Sequence, residues 1–275
     1  IVSIVTYDNS VDVIVPATKV ADKRAIKRKI EAIDAGGNTA LFAGVSKGGA
    51  EIRKFFSKEK VNRVILISDG LANVGPSTPT ELGELGMSLG RETISVTTIG
   101  LGLGYNEDLM TQLAGFSDGN HAFAENASDL IGIFQNEFGD VMSVVAQEVD
   151  IQIKCSPTIR PIRVIGRDAR VIGQTIHTRM NQLYSSQEKY ILVEVEVPAR
   201  SAGYSQDLAL VDVSYRNLQT RRIDKLSNSV AVSFSESDTK IAEATDKNVV
   251  EQAVIQVANE TSKEAVKLRD KGKVR

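Results

Sequence analysis

The stretch VNRVILISDGLANVG, residues 61–75, decides how this chain is read. Val64, Ile65, Leu66 and Ile67 run without a polar interruption, and the run stops at Ser68, Asp69 and Gly70. A short continuous apolar run bounded by turn residues is the pattern of a strand covered on both faces. Such strands belong to parallel sheets flanked by helices. In those sheets ligands collect beyond the carboxyl ends of the strands, which is where Asp69 stands.

The neighbouring segments supply the helices. Upstream, IVSIVTY (1–7) and VDVIV (11–15) are apolar runs separated by a polar turn, the spacing of a hairpin. Residues 22–34 have helical period, with Ala25, Ile26, Ile30 and Ile33 on one face and Asp22 as a cap. AGGNT (35–39) interrupts, and helical character resumes over 40–56. Downstream, 78–91 is a helix with Pro79 in its first turn. TISVTTIGLG (93–102) is β-branched and strand-like. Two amphipathic helices, 106–116 and 127–146, flank the short strand HAFA (121–124). Alternation at this spacing predicts a mostly parallel sheet with helices on both faces.

Beyond residue 146 the period changes from helical to two. EVDIQIKC, PIRVIG, TIHTRM, KYILVEVEVP, DLALVDVSYRN and SVAVSFS alternate apolar and polar residues, which predicts a small antiparallel sandwich through about 235. Helical period returns over 238–269, with Val249, Ala253, Val257, Ala265 and Leu268 as a stripe for packing. Acids interleave that stripe, against a membrane-surface role. The expected organisation is therefore 1–146, 147–235 and 236–275.

Composition narrows the function. A length of 275 residues suits one large domain or two small ones, and 42% hydrophobic with 25% charged residues is ordinary for a globular chain. The formal net charge of -2 and the absence of Trp argue against a nucleic-acid partner. No apolar run is long enough for a membrane span. The single cysteine, Cys155, excludes an internal disulfide and a Cys-rich metal site. The chain opens on IVSIVTYD, without an initiator Met or a secretory signal, and so reads as cut from a longer protein.

Two residues carry the candidate chemistry. Thr39 lies in a Gly-rich loop before a helix, and Asp69 closes the buried strand. A hydroxyl and a carboxylate are hard oxygen ligands suited to Mg²⁺, which takes six oxygens and keeps several waters. Gly36 and Gly37 let the loop backbone come close, and Gly70 allows a tight turn past the acid. A cation held by so few charges stays electrophilic and accepts a carboxylate from a partner. The plainer alternatives are an Asp-Gly turn at Asp69 and an N-cap at Thr39.

GGNTAL followed by VILISDGLANVG, then ISVTTIGLG and NEDLMTQLAGFSDGNHAFAEN, resembles a von Willebrand factor type A domain of the bacterial type with a following β-rich module. The resemblance covers about residues 1–146. It implies a Rossmann-like fold and a metal-ion-dependent adhesion site built from Asp-x-Ser-x-Ser on the first strand, a loop Thr and a later Asp. Thr39 and Asp69 match the last two positions. No Asp-x-Ser-x-Ser precedes Thr39, and Ser3 lies inside a strand. IVSIVTYD resembles the family's second strand and VDVIVP its third. The family's first strand, central between the second and fourth, has no counterpart. A gap is therefore expected between residues 1–7 and 63–68, filled by an upstream segment or by another copy. With two of five motif positions, this chain alone is expected to lack the ion. The implied function is non-enzymatic, divalent-metal-dependent protein binding, for adhesion or scaffolding, to a partner presenting an acidic side chain. The alternatives are an accessory of an ATPase or chelatase-type complex, a hydrolase using the same metal, and a scaffold with an incomplete site. The resemblance also implies an extracytoplasmic location, periplasmic or cell surface.

Other motifs are weaker. GGNTALFAGVSKGG (36–49) lacks the Gly-Lys-Ser/Thr ending of a phosphate loop, because Gly48 follows Lys47. GLGLGYN (100–106) has the wrong spacing for a dinucleotide fingerprint. His121 and His177 have no evident nucleophile partner, and the basic cluster of 22–31 reads as a solvated face.

Overall fold

The computed structural model describes residues 1–34 and 36–270. Ala35 of the Gly-rich break and 271–275 of the C-terminal segment lie outside the described residues. The chain forms two compact units. The first comprises Ile1–Gln147 with Asn181–Ser185 and Asn217–Arg221; the second comprises Glu148–Met180, Ser186–Arg216 and the chain from Arg222 onward.

In the first unit, β1 (Val2–Tyr7) and β2 (Val11–Thr18) form the expected antiparallel hairpin. Asp8 closes its turn by accepting from the Ser10 N–H at 2.7 Å. Helix α1 (Lys23–Glu31) is capped by Asp22, which accepts from Arg24 N and Ala25 N. Its predicted apolar face is not fully covered, since Ile30 and Ile33 remain exposed. Helix α2 (Leu41–Arg53) buries Leu41 and Val45. Two glycines one turn apart bring α2 down onto two strands. A Cβ at Gly44 would stand 2.8 Å from the Tyr7 ring, and one at Gly48 would stand 3.4 Å from Val64.

Next come β3 (Asn62–Ser68), α3 (Pro79–Arg91), β4 (Ile94–Leu101), α4 (Glu107–Phe116), β5 (His121–Ala124) and α5 (Asp129–Ser143). The three strands form a parallel sheet in the order β3-β4-β5, with Asn62 opposite Ile94 and Thr98 opposite His121. The central strand, β4, is buried from Ile94 through Gly100. Leu66, Ile94, Val96, Leu82, Leu89, Leu109, Met110 and Leu113 form the core with Leu41 and Val45. At the start of α3, Thr78 and Glu81 make a reciprocal capping box with Pro79 at the first helical position.

β3 and β1 are not paired with each other; they belong to separate sheets. β3 is half-exposed along most of its length, whereas its neighbour β4 is buried. The direct pairing that would have excluded the expected gap is thus absent among the described residues.

A buried ion pair ties β3 to α5. Arg63 and Glu137 have side chains only 4% and 5% exposed. Arg63 also donates to Gln182 Oε1 at 2.6 Å and to the Tyr184 hydroxyl. Glu137 accepts from Thr97 Oγ1 at 2.5 Å and from Asn120 Nδ2 at 3.1 Å.

The helix expected over 127–146 ends at Ser143. Val144 is extended and begins β6 (Val144–Cys155). A short apolar run such as VVA satisfies either period. Backbone partners decide it here, since Leu218 N donates to Val145 O at 3.0 Å and Ser185 N to Ser143 O at 2.7 Å.

The strands that follow are β7 (Arg160–Ile165), β8 (Arg170–Ile172), β9 (Thr175–Tyr184), β10 (Leu192–Glu196), β11 (Ser205–Asn217) and β12 (Ile223–Ser233). They form a five-stranded sheet in the order β12-β11-β6-β9-β8 and a two-stranded sheet of β10 and β7. The pairs β11–β12, β8–β9 and β10–β7 are antiparallel, as the alternating pattern requires. In the second unit, α6 (Asp238–Ala244) and α7 (Lys247–Asp270) replace one continuous helical segment. Thr245 is extended, and Asp246 restarts the helix by accepting from Asn248 N at 2.9 Å. Glu260 of α7 pairs with Arg163 of β7 at 3.0 Å. Val249 and Val257 of the predicted stripe stay exposed. Among the described residues no helix is long and apolar enough to cross a membrane.

Candidate metal centre

The carboxyl ends of β1, β3, β4 and β5 are followed by residues 8–10, 69–78, 102–106 and 125–128, and the loop 36–40 joins them. Asp8 O accepts from Ala40 N at 2.8 Å, which ties that loop to the hairpin. The loop's own turn uses Gly37 at φ +79°, where a side chain would be strained and would meet Asp8.

Thr39 is clamped through its backbone. Its N–H donates to Asn73 Oδ1 at 2.7 Å, and its carbonyl accepts from Asn73 N at 3.2 Å and Val74 N at 3.4 Å. The loop after Asp69 therefore folds back onto Thr39. Gly70 lies between them, and a Cβ there would stand 3.3 Å from Thr39 Oγ1. Gly70 does not adopt a positive φ, so it serves here by its small size rather than by a special turn. The Thr39 hydroxyl is thus set against Gly70, the residue that follows Asp69.

The N-cap alternative loses ground, whereas the chain does bend at Asp69 and Gly70, as the turn alternative requires. Helix α2 is capped at Ala40 without a side-chain bond, so Thr39 is not its cap. Among the described residues no hydrogen bond engages Thr39 Oγ1 or the Asp69 carboxylate, so Asp69 does not close a turn through its side chain. Thr39 is half-buried and Asp69 exposed.

The donor chemistry of a hydroxyl and a carboxylate suits a hard divalent cation, and the two would supply two of the six oxygens that Mg²⁺ takes. Among the described residues no cluster of three or more acidic, His or Cys side chains could hold a metal alone. The surroundings are negative. The residues 8–10, 36–40, 69–78, 102–106 and 125–128 contain Asp8, Asp69 and Glu125 but no Lys or Arg.

Tyr7 and Asn73 were not foreseen as parts of this site. The Tyr7 hydroxyl donates to Ile67 O, reaching β3 from β1. Burial pushes its pKa up to about 12; a Ser68 hydrogen bond opposes this and the Asp69 charge adds to it. Asn73 carried one sequence signal, an amide within a Gly- and Pro-bounded loop just after the acid. Nearby, His121 Nδ1 is 2.8 Å from Thr98 Oγ1 and its Nε2 is 3.3 Å from the Tyr105 hydroxyl. Burial lowers the His121 pKa, with the Glu107 charge and Thr98 opposing. His177 lies in β9, opposite Arg170.

A parallel sheet flanked by helices defines a Rossmann-like α/β domain, the class in which ligands bind beyond the carboxyl ends of the strands. Residues 1–137 match the family model of the von Willebrand factor type A domain, and the chain belongs to that family. It is 28% identical to the uncharacterized protein YfbK of Escherichia coli over 171 residues, covering 62% of this chain and 30% of that one. It is 21% identical to the uncharacterized protein sll0103 of Synechocystis over 259 residues, covering 90% of this chain and 60% of that one. The chain thus spans about a third to three-fifths of these relatives. Among solved structures, a von Willebrand factor type A protein from Catenulispora acidiphila superposes with TM-score 0.73 at 15% identity, covering 90% of this chain and 60% of that one. The ArnB paralog VWA2 from Sulfolobus acidocaldarius gives TM-score 0.51 at 17% identity, covering 98% and 67%.

Proposed function

We propose that the protein is a non-enzymatic binding module that grips an acidic group of a protein partner through a divalent cation, Mg²⁺ by chemistry, held by Thr39 and Asp69. The observation that carries this reading is the oxygen pair itself. The Thr39 hydroxyl lies against Gly70, next to Asp69 in the chain, neither side chain has a hydrogen-bond partner among the described residues, and the loops that carry them hold no Lys or Arg. Three exposed or loop-borne acids repel a carboxylate, so an acidic partner needs the cation between them. When bound, the ion supplies a Lewis-acidic point with open positions. Thr39 and Asp69 orient it, and the Asn73 clamp holds Thr39 in place.

The same reading includes completion of the sheet. Among the described residues β3 and β1 each pair with a neighbouring strand on one side only, and α2 lies on both strands. A strand from another segment of the natural chain, or from a second copy, would pair with both edges and bring the remaining oxygen ligands.

Calorimetric titration of the full-length protein with Mg²⁺ and Mn²⁺ tests the reading. Saturable binding that disappears in Asp69→Ala and weakens in Thr39→Val is expected. Absence of cation binding by the full-length protein would leave a scaffold role in its place.

A further inference from the structure

Folding leaves helix α1 without a single buried residue. Ile26 and Ile30 lie one turn apart on the same side of it. Ile33 follows in the turn that ends the helix, its N–H donating to Ile30 O at 3.0 Å. A stripe of this kind ordinarily faces a core. Here Ile26 is half-buried, and Ile30 and Ile33 are 45% and 39% exposed. Lys29 fixes how the helix is turned. Its Nζ donates to Ile14 O at 3.2 Å, so that flank of the stripe lies toward β2. The other flank carries Lys23 and Lys27, four residues apart and therefore neighbours on the helix surface.

The charge around the stripe is one-sided. Residues 19–31 hold six of the chain's 33 Lys and Arg, and two of its 35 acids, Asp22 and Glu31. Asp22 is engaged as the cap, accepting from Arg24 N and Ala25 N. Among the described residues none of the six cations pairs with an acid. The segment is thus a positive island on a chain of net charge -2.

Scattered exposed aliphatics are ordinary, and a basic helix is ordinarily a solvated face. Aliphatics on successive turns of one stripe, bordered by unpaired lysines, are instead the pattern of a helix that lies in a lipid interface. Partners of the opposite charge are told apart by what they do with the isoleucines. A polyanion takes the cations and leaves the isoleucines in water. A protein partner of standard size covers about 800 Å², far more than the outward side of a nine-residue helix about 14 Å long. An anionic bilayer meets both features without shape complementarity, since its phosphates take the lysines and its acyl boundary takes the isoleucines.

We propose that α1 is a peripheral membrane anchor. It lays Ile30 and Ile33 into the headgroup boundary of an anionic bilayer, with Lys23 and Lys27 on the lipid phosphates and the remaining cations adding long-range attraction. Attachment through so few side chains is weak, reversible and salt-dependent. It is independent of the cation reading of Thr39 and Asp69.

The probes are vesicles of phosphatidylcholine alone, or of equal parts phosphatidylcholine and phosphatidylglycerol, sedimented with the full-length protein at low and high salt. Heparin is titrated separately as a polyanion without an apolar phase. Tighter, salt-sensitive binding to the mixed vesicles is expected. Lys23→Gln/Lys27→Gln should weaken it about fivefold per cation. Ile30→Ser/Ile33→Ser should weaken it about tenfold, the scale of partly burying two aliphatic side chains. All four positions are exposed, so circular dichroism melts of both variants should match the parent. Mixed-vesicle binding that both variants leave unchanged overturns the anchor, whatever else in the full chain attaches to lipid. Vesicle binding that needs the lysines but not the isoleucines, or lysine-dependent heparin binding without vesicle binding, overturns it in favour of a polyanion partner. Binding to neither vesicles nor heparin returns α1 to a solvated face.

Discussion

Replacing Glu137 by Ala probes the contact that joins α5 to the parallel sheet. The carboxylate is 5% exposed and receives Arg63, Thr97 Oγ1 and Asn120 Nδ2. Its removal strands the Arg63 guanidinium, 4% exposed, with only neutral partners at Gln182 and Tyr184. A buried charge left without its counter-ion costs about 3–5 kcal/mol. At roughly 2–4 °C per kcal/mol for a unit of this size, the melting temperature should fall by ~6–20 °C. Removing both charges in Arg63→Met/Glu137→Met eliminates the stranded ion, so the double variant should be distinctly more stable than Glu137→Ala. Urea unfolding followed by far-ultraviolet circular dichroism measures both, since the chain has no Trp to report. A loss under about 1 kcal/mol in Glu137→Ala, the range of exposed pairs, would refute the claim that this pair is dry and structurally coupled.

Three further outcomes are expected. His121 has a pKa lowered by burial below its ordinary 6.5, so the folded state binds fewer protons than the unfolded one. Its contribution is complete above 6.5, and stability should fall as pH drops below that value; a flat profile between pH 7 and 5 that His121→Gln does not change would contradict this. Gly102→Ala forces a side chain into φ +68° and should cost about 1–2 kcal/mol, read by thermal melting; an unchanged melting temperature would remove the argument that this glycine is obligatory. Asn73→Ala removes the acceptor of the Thr39 N–H and should weaken Mn²⁺ binding more than it lowers the melting temperature. An unaltered cation affinity would show that the clamp does not position Thr39.

Much of the first unit was legible in the residues. The unbroken run at 64–67 marked a covered strand, and β3 pairs in parallel with β4. Pro79 and Thr78 marked the start of α3, and the capping box stands there. Errors fell where local pattern is ambiguous. The apolar residues 144–146 fit a helix or a strand, and only partners at Ser185 and Leu218 decide between them. The exposure of Ile30 and Ile33 on α1 was equally unreadable, because a helical stripe states which face is apolar and not whether anything covers it.

The sequence by itself determined most of the elements of the first unit and the hard-oxygen chemistry of Thr39 and Asp69. These are properties of residue types and their spacing within a few turns. The tertiary structure decided what depends on segments distant in the chain. It folded Asn73 back onto Thr39, drew Tyr7 to β3, and set Gly104 against the backbone of Asp69. It joined Arg63 to Glu137 across 74 positions and left β1 and β3 unpaired with each other. Each is an agreement between surfaces that meet only when the helices pack on the sheet, and no local periodicity encodes it.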